Sequence, residues 1–150
     1  MINTTMDKPK FVYVTHIATT PEKLWAALTG SEFWRKFSGP IESDWKVGSS
    51  VKFFLPDGKL YSEGQVLKSN PPHTLSHTWP DPEGEQDSDS SQRLTWQIEP
   101  SSPGTVRLTM IHENMTENGY RGVTAGWPAI ISSLKTLLET GRTIQFPVEC

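Results

Sequence analysis

The feature that most constrains this chain is a long apolar-faced segment near its end. Trp127, Ile131, Leu134 and Leu138 recur at helical spacing, Ile130 and Leu137 widen the stripe, and Ser132, Lys135, Thr136 and Glu139 face away. Gly141 supplies a natural stop, with Arg142 placed to meet exposed carbonyls. Pro128 lacks an N–H and crowds the preceding turn, so the regular helix is expected to begin at about Gly126 or Trp127, or to kink there. Each buried Ile or Leu contributes about 1.5 to 3 kcal/mol by transfer. A helix with such a face needs a broad apolar surface to cover, and most of the chain before it reads as strand.

Phe11 to Ile17 alternates and is rich in β-branched and aromatic residues, which marks a first strand. Thr20 is a cap and Pro21 a first helical residue, opening two short helices, Pro21 to Leu28 and Ser31 to Phe37, divided at Gly30. After Gly39-Pro40 the strands resume: Ile41 to Asp44, Ser50 to Leu55, Leu60 to Ser69, Thr74 to Trp79, Gln92 to Glu99 and Val106 to His112. Asp57-Gly58, Asn70-Pro71-Pro72 and Ser101-Ser102-Pro103-Gly104 are the turns between them. Pro80 to Ser91 is acidic and has no apolar residue, so it reads as a mobile hairpin loop. The pattern gives one domain, residues 11–143, between a flexible N-terminus, 1–10, and a C-terminal tail, 144–150.

Several function classes are disfavoured. The net charge is −3 and the basic residues are scattered, which argues against nucleic-acid binding, where phosphates demand a clustered basic surface. Cys150 is the only cysteine, so neither an internal disulfide nor a thiolate metal site is available. No stretch approaches the length of a membrane span, and Met1 to Lys10 is polar, so a cytoplasmic protein with no membrane partner is expected. No His-x-x-x-His or Glu-x-x-His pair at helical spacing exists to hold a metal, and no cofactor motif is present. Six Trp and six Phe supply burial that the 35% hydrophobic share would not, and such rings also line ligand pockets.

Certain residues recur in a familiar order: Ile17-Ala18, Pro21-Glu22 and Trp25-Ala26-Ala27-Leu28-Thr29; Trp45 to Gly48; Glu63-Gly64-Gln65-Val66; Pro71-Pro72-His73-Thr74-Leu75 and Trp79; Gly126-Trp127-Pro128. In order and spacing they resemble the START-related superfamily, and within it the activator-of-heat-shock-protein-90-ATPase homologue family. Two positions depart from it, Phe37 where the family usually carries Trp and Ser49 where a second Gly commonly follows Gly48. The resemblance implies an α+β helix-grip fold: a curved antiparallel sheet of about seven strands, two short helices after the first strand, and a long C-terminal helix over a cavity. It implies a binding scaffold more firmly than a reaction.

On that scaffold the candidate ligand-binding residues are Phe37, Phe53, Tyr61, His77, Trp79, Trp96, Met110, His112, Trp127 and Ile131. Alternation puts Val51, Phe53 and Leu55 on one face, with Leu94, Trp96 and Ile98, and Val106, Leu108 and Met110, on the faces of later strands. His112 continues the last series and is expected at the cavity mouth; His77 shares a face with Leu75 and Trp79. Absent a partner motif, both read first as satisfied imidazoles or rim groups. No nucleophile elbow, phosphate loop or dinucleotide fingerprint is present. Three functions follow from the resemblance. The first is binding of a hydrophobic or aromatic small molecule, favoured by a dry closed pocket. The second is a polyketide-cyclase or aromatase-like enzyme using His112, His77 or Tyr61, favoured by buried ionisable groups. The third is stimulation of a heat-shock chaperone ATPase, favoured by a basic stripe beside an exposed groove. A monomer or weak homodimer is expected.

Overall fold

The computed structural model describes residues 10–35, 39–79, 92–115 and 117–144, and the side chains of all of these except 117–119, 122 and 123. The elements run β1 (Phe11–Ile17), α1 (Pro21–Thr29), α2 (Ser31–Trp34), β2 (Ile41–Glu42), β3 (Ser50–Phe54), β4 (Leu60–Asn70), β5 (Thr74–Trp79), β6 (Gln92–Ser102), β7 (Thr105–Glu113) and α3 (Glu117–Thr140). Among the described residues the strands form one antiparallel sheet in the order β1-β7-β6-β5-β4-β3-β2. The chain therefore leaves β1 at one edge, crosses through α1 and α2, and meanders back from the other edge until β7 pairs with β1.

All three helices cover the same face of the sheet. Leu24 and Leu28 of α1, Phe33 and Trp34 of α2, and Trp127, Ile131 and Leu134 of α3 share one buried core with Val51, Leu75, Trp96 and Leu108. Local chemistry sets the crossing. Thr20 Oγ1 accepts the Lys23 N–H at 3.2 Å, Pro21 sits at the first helical position, and the extended Gly30 ends α1 with its N–H on Ala26 O at 3.0 Å. Only glycine fits at residue 39: its φ is +126°, and a Cβ there would lie 2.1 Å from Phe54 O.

Three expectations need correcting. β2 is two residues long, because Asp44 turns to accept the Lys46 N–H and Trp45 takes a φ of +61°. β6 continues through Ser102, leaving Pro103 and Gly104 as the tip of a tighter hairpin whose Gly104 has a φ of +76°. α3 begins at Glu117, with Pro128 inside it. A proline deep in a helix costs about 3 kcal/mol or more, which burial of Trp127 just before it and of Ile131 and Leu134 on the following turns offsets. The stop is where the sequence put it, with Gly141 at a φ of +76° and its N–H on Leu137 O at 2.8 Å. The outer face of α3 is also tethered: Lys135 Nζ donates to His16 O and to Glu139 Oε2, both at 2.7 Å, and Glu139 Oε2 accepts the Ala18 N–H at 2.9 Å.

Phe37, the loop Pro80 to Ser91, and the segments 1–9 and 145–150 lie outside the described residues. Among the described residues no helix is long and apolar enough to cross a membrane.

Candidate functional site

Strand register assembles a wall of rings on the covered face. Leu75 of β5 stands opposite Trp96 of β6, which stands opposite Met110 of β7. One step along, His77 faces Leu94, and Leu94 faces His112; a further step brings Trp79 opposite Gln92. Because side chains two residues apart share a face, these rows stack into one surface. Phe53 extends it from β3, Trp34 and Trp127 close over it from α2 and α3, and Trp45 reaches it from the loop after β2.

Trp127 is the hub. Its ring centroid lies 5.4 Å from Trp79, 5.7 Å from Trp96, 6.0 Å from His112 and 6.3 Å from Trp34. His77 belongs to an adjoining group, 5.6 Å from Trp45, 6.1 Å from Phe53 and 6.3 Å from Trp79. Trp34, Trp96, His112 and Trp127 are buried, whereas Trp45 and Trp79 are half-buried. The wall is therefore sealed at the Trp96 end and reachable at the Trp45 and Trp79 end. Trp45 is held there by its own bonds, Nε1–H donating to Thr29 O at 2.8 Å and N–H to Ser43 Oγ at 2.9 Å.

Two imidazoles sit in this wall in different states of satisfaction. Trp127 Nε1–H donates to His112 Nδ1 at 2.9 Å, which makes Nδ1 the bare nitrogen. The proton then lies on Nε2, which donates to Gln92 Oε1 at 2.7 Å. Both nitrogens of His112 are thus committed. His77 Nδ1 lies 2.9 Å from Thr78 O, a carbonyl that accepts only, so Nδ1 carries the proton and Nε2 presents a lone pair. That lone pair has no hydrogen-bond partner among the described residues. Burial pushes the His77 pKa down to about 4 against the pull of the Thr78 carbonyl. Burial first, and then the neighbouring His77, push the His112 pKa down to about 4. Both rings are neutral at physiological pH.

Of the ten residues read as candidates, Phe53, His77, Trp79, Trp96, Met110, His112 and Trp127 come together in the wall, and Ile131 of α3 is buried in the same core. His112 is fully enclosed and does not stand at a mouth, because Phe11 pairs beside it and Trp127 caps it. Tyr61 is 47% exposed and is not brought to the wall: it shares the outward side of β4 with Glu63 and Gln65, while Ser62, Gly64 and Val66 turn inward. Trp34, Trp45 and Gln92 belong to the site and were missed. Gln92 carried a signal, since it begins the inward series Leu94, Trp96 and Ile98.

The remaining polar features lie elsewhere. Thr19 Oγ1 and Ser133 Oγ are buried without a partner among the described residues. Among those residues no three His, Cys, Asp or Glu side chains converge as a metal site would require. Two open grooves flank the β2–β3 connection. One, of about 450 Å³, is lined by Glu42, Ser43, Asp44, Ser49, Ser50 and Lys52; the other, of about 480 Å³, by Trp25, Trp45, Val47 and Pro71 with Asp44 and Lys46.

A family model described as Activator of Hsp90 ATPase homolog 1-like protein matches residues 18–139. No curated protein sequence matches the chain significantly. Among solved structures, protein MLL2253 from Mesorhizobium loti is 27% identical, with a TM-score of 0.72, 87% of this chain and 96% of that one being covered. The Aha1 dimer from Colwellia psychrerythraea is 24% identical, with a TM-score of 0.71 over 89% of this chain and 98% of that one. PFC0360w, an HSP90 activator from Plasmodium falciparum, is 18% identical, with a TM-score of 0.67 over 86% and 95%. The last two likenesses are likenesses of fold.

Proposed function

The chain belongs to the family of Activator of Hsp90 ATPase homolog 1-like proteins, and on that premise we propose that it binds a hydrophobic or aromatic small molecule between the sheet and α3. One observation carries the reading: a continuous wall of aromatic rings is sealed by mutual packing at the Trp96 end and left half-covered at Trp45 and Trp79. Large rings around few polar atoms suit a ligand of moderate size, in a pocket of about 300 to 1,000 Å³. Native mass spectrometry of the protein purified from its own host tests this. A bound mass that leaves on denaturation is the expected result; the bare chain alone, from several growth conditions, overturns it.

A second reading, a polyketide-cyclase or aromatase-like enzyme, draws support from the two buried imidazoles. Its weight falls on His77, because His112 has no nitrogen free to move a proton. An imidazole held near a pKa of 4 is a weak base, so binding remains the preferred function. Stimulation of a chaperone ATPase draws less support. The two described grooves pair Lys46 and Lys52 with Asp44 and Glu42, which is balanced charge in place of a basic stripe.

A further inference from the structure

We infer that the open edge of β1 pairs with β1 of a second copy of this chain, antiparallel about a two-fold axis at Tyr13, joining two sheets into one. Among the described residues β1 is an outer strand, paired with β7 in unbroken register from Phe11 opposite His112 to Ile17 opposite Val106. Successive residues of a strand direct their N–H and C=O to opposite sides. The Ile98 N–H donates to His73 O at 2.7 Å, so even-numbered residues of β6 face β5 and odd ones face β7. Glu99 opposite Arg107 then bonds across β6 and β7, the even residues of β7 turn to β1, and the odd residues of β1 receive them. The even residues of β1 therefore present their backbone groups at the open edge. α3 agrees with this: Lys135 Nζ holds His16 O at 2.7 Å, and Glu139 Oε2 holds the Ala18 N–H at 2.9 Å. That pair closes the edge at one end, as charged side chains commonly do. Val12 and Val14 are left without a strand beside them, their side chains 51% and 50% exposed.

These features choose the occupant and its register. An even residue must meet an even one for the bonding groups to face each other. With Tyr13 opposite Tyr13 of the second copy, Val12 stands opposite Val14 and Val14 opposite Val12, and each pair exchanges both of its N–H···O bonds. His16 then falls opposite the exposed Lys10 of the second copy, so the two charged clasps lie at the ends of the paired stretch. Sliding the copies to set Val14 opposite itself would oppose Val12 to His16, whose carbonyl Lys135 already occupies. On the exposed face the valines of both copies form one patch, which Ile111 and Thr109, their partners on β7, extend on either side. A second copy also has the same edge to cover, so one pairing removes two open edges. So short a pairing buries less than the about 1,200 to 2,000 Å² of a stable interface, which makes the dimer a weak one, with a Kd on the order of 100 μM.

Sedimentation velocity of the full chain at neutral pH, from about 5 to 500 μM, brackets that Kd. The expected result is a monomer at the low end and a reversible dimer at the high end. Val12→Lys combined with Val14→Lys sets like charges across the pair and should leave a monomer throughout with its melting temperature kept, since both side chains are exposed. Leu67→Lys, at an exposed position on β4, should still dimerise. A native chain that stays monomeric, a dimer that survives the two lysines, or a dimer lost in Leu67→Lys overturns the proposal. The axis is tested with Cys150→Ser, which removes the one native thiol. On that background Tyr13→Cys brings two Cα atoms to about 4.5 Å across the dimer, within reach of a disulfide, whereas Val14→Cys leaves them about 7 to 8 Å apart on the diagonal. Under a mild oxidant the first should cross-link the faster; Val14→Cys linking as fast or faster overturns the axis at Tyr13. Should Tyr13→Cys not fold, Val14→Cys decides alone, since rapid linkage overturns that axis and its absence from a dimeric protein supports it.

Discussion

Acidification should weaken this protein over a window set by two histidines. His77 and His112 titrate near pH 4 in the folded state and near 6.5 when the chain is unfolded and solvated. As pH falls below 6.5, the unfolded state takes up protons that the native state refuses, so stability falls with pH until the native rings also protonate near 4. Between pH 7.5 and 5 each imidazole accounts for a loss of about 2 kcal/mol, and the pair for about 4 kcal/mol. Against the 5 to 15 kcal/mol that hold a typical domain together, that is a large share. Asp44, whose carboxyl is lowered chiefly by the Ser49 side chain, and Glu139, lowered chiefly by Lys135, act in the same direction. Their loss begins as pH falls into the ordinary carboxylate range, so stopping at pH 5 keeps the histidines in view. Urea denaturation at pH 7.5, 6.5, 5.8 and 5.0 gives the curve, and His77→Phe should show about half the fall. A flat native curve, or an undiminished fall in a His77→Phe, His112→Gln double variant, refutes the burial argument.

Other perturbations separate packing from recognition. Trp127→Ala removes the hub of the wall and the donor to His112, and should lower stability by about 3 to 5 kcal/mol in denaturant titration; an unchanged midpoint would detach α3 from the wall. His112→Gln should cost about 1 to 3 kcal/mol of stability while changing ligand affinity no more than a few-fold, since this ring braces Trp127 and offers the ligand nothing; a loss confined to affinity would contradict that. Gly64→Ala should cost about 1 to 3 kcal/mol, because its Cβ would stand 2.0 Å from Thr78 Oγ1, the acceptor for the Gln65 N–H. Thermal melting checks it, and a variant as stable as the parent would show that β4 and β5 shift freely at their bulge.

Much of the fold was legible because its signals are local. β1 and β5 begin and end where alternation and the flanking turn residues put them, at Phe11–Ile17 and Thr74–Trp79. The start of α3 was not legible for the opposite reason. Pro128 is a strong local argument for a boundary, but the residues that overrule it, His112 below and Ile131 and Leu134 on the turns after, act only once the sheet is in place. Trp34 and Trp45 were missed as site residues on similar grounds. One sits on a helix of four residues and the other in a loop, and neither segment has a period from which a face can be read.

The site divides along the same line. Alternation tells which face a strand residue occupies, and it named Phe53, His77, Trp79, Trp96 and His112 correctly as facing inward. It cannot tell register, because sliding a strand by two residues leaves every face unchanged. Register is what brings His77 level with Leu94 and His112, and it is what lets Gln92 and Trp127, 20 and 15 residues away from His112, close on its two nitrogens. The difference between the two histidines follows from this. In sequence both are histidines on apolar strand faces, and the same bland reading fitted each. In the fold His112 is fixed by two side chains brought in from other elements, whereas His77 is fixed by the carbonyl of its own backbone neighbour, Thr78.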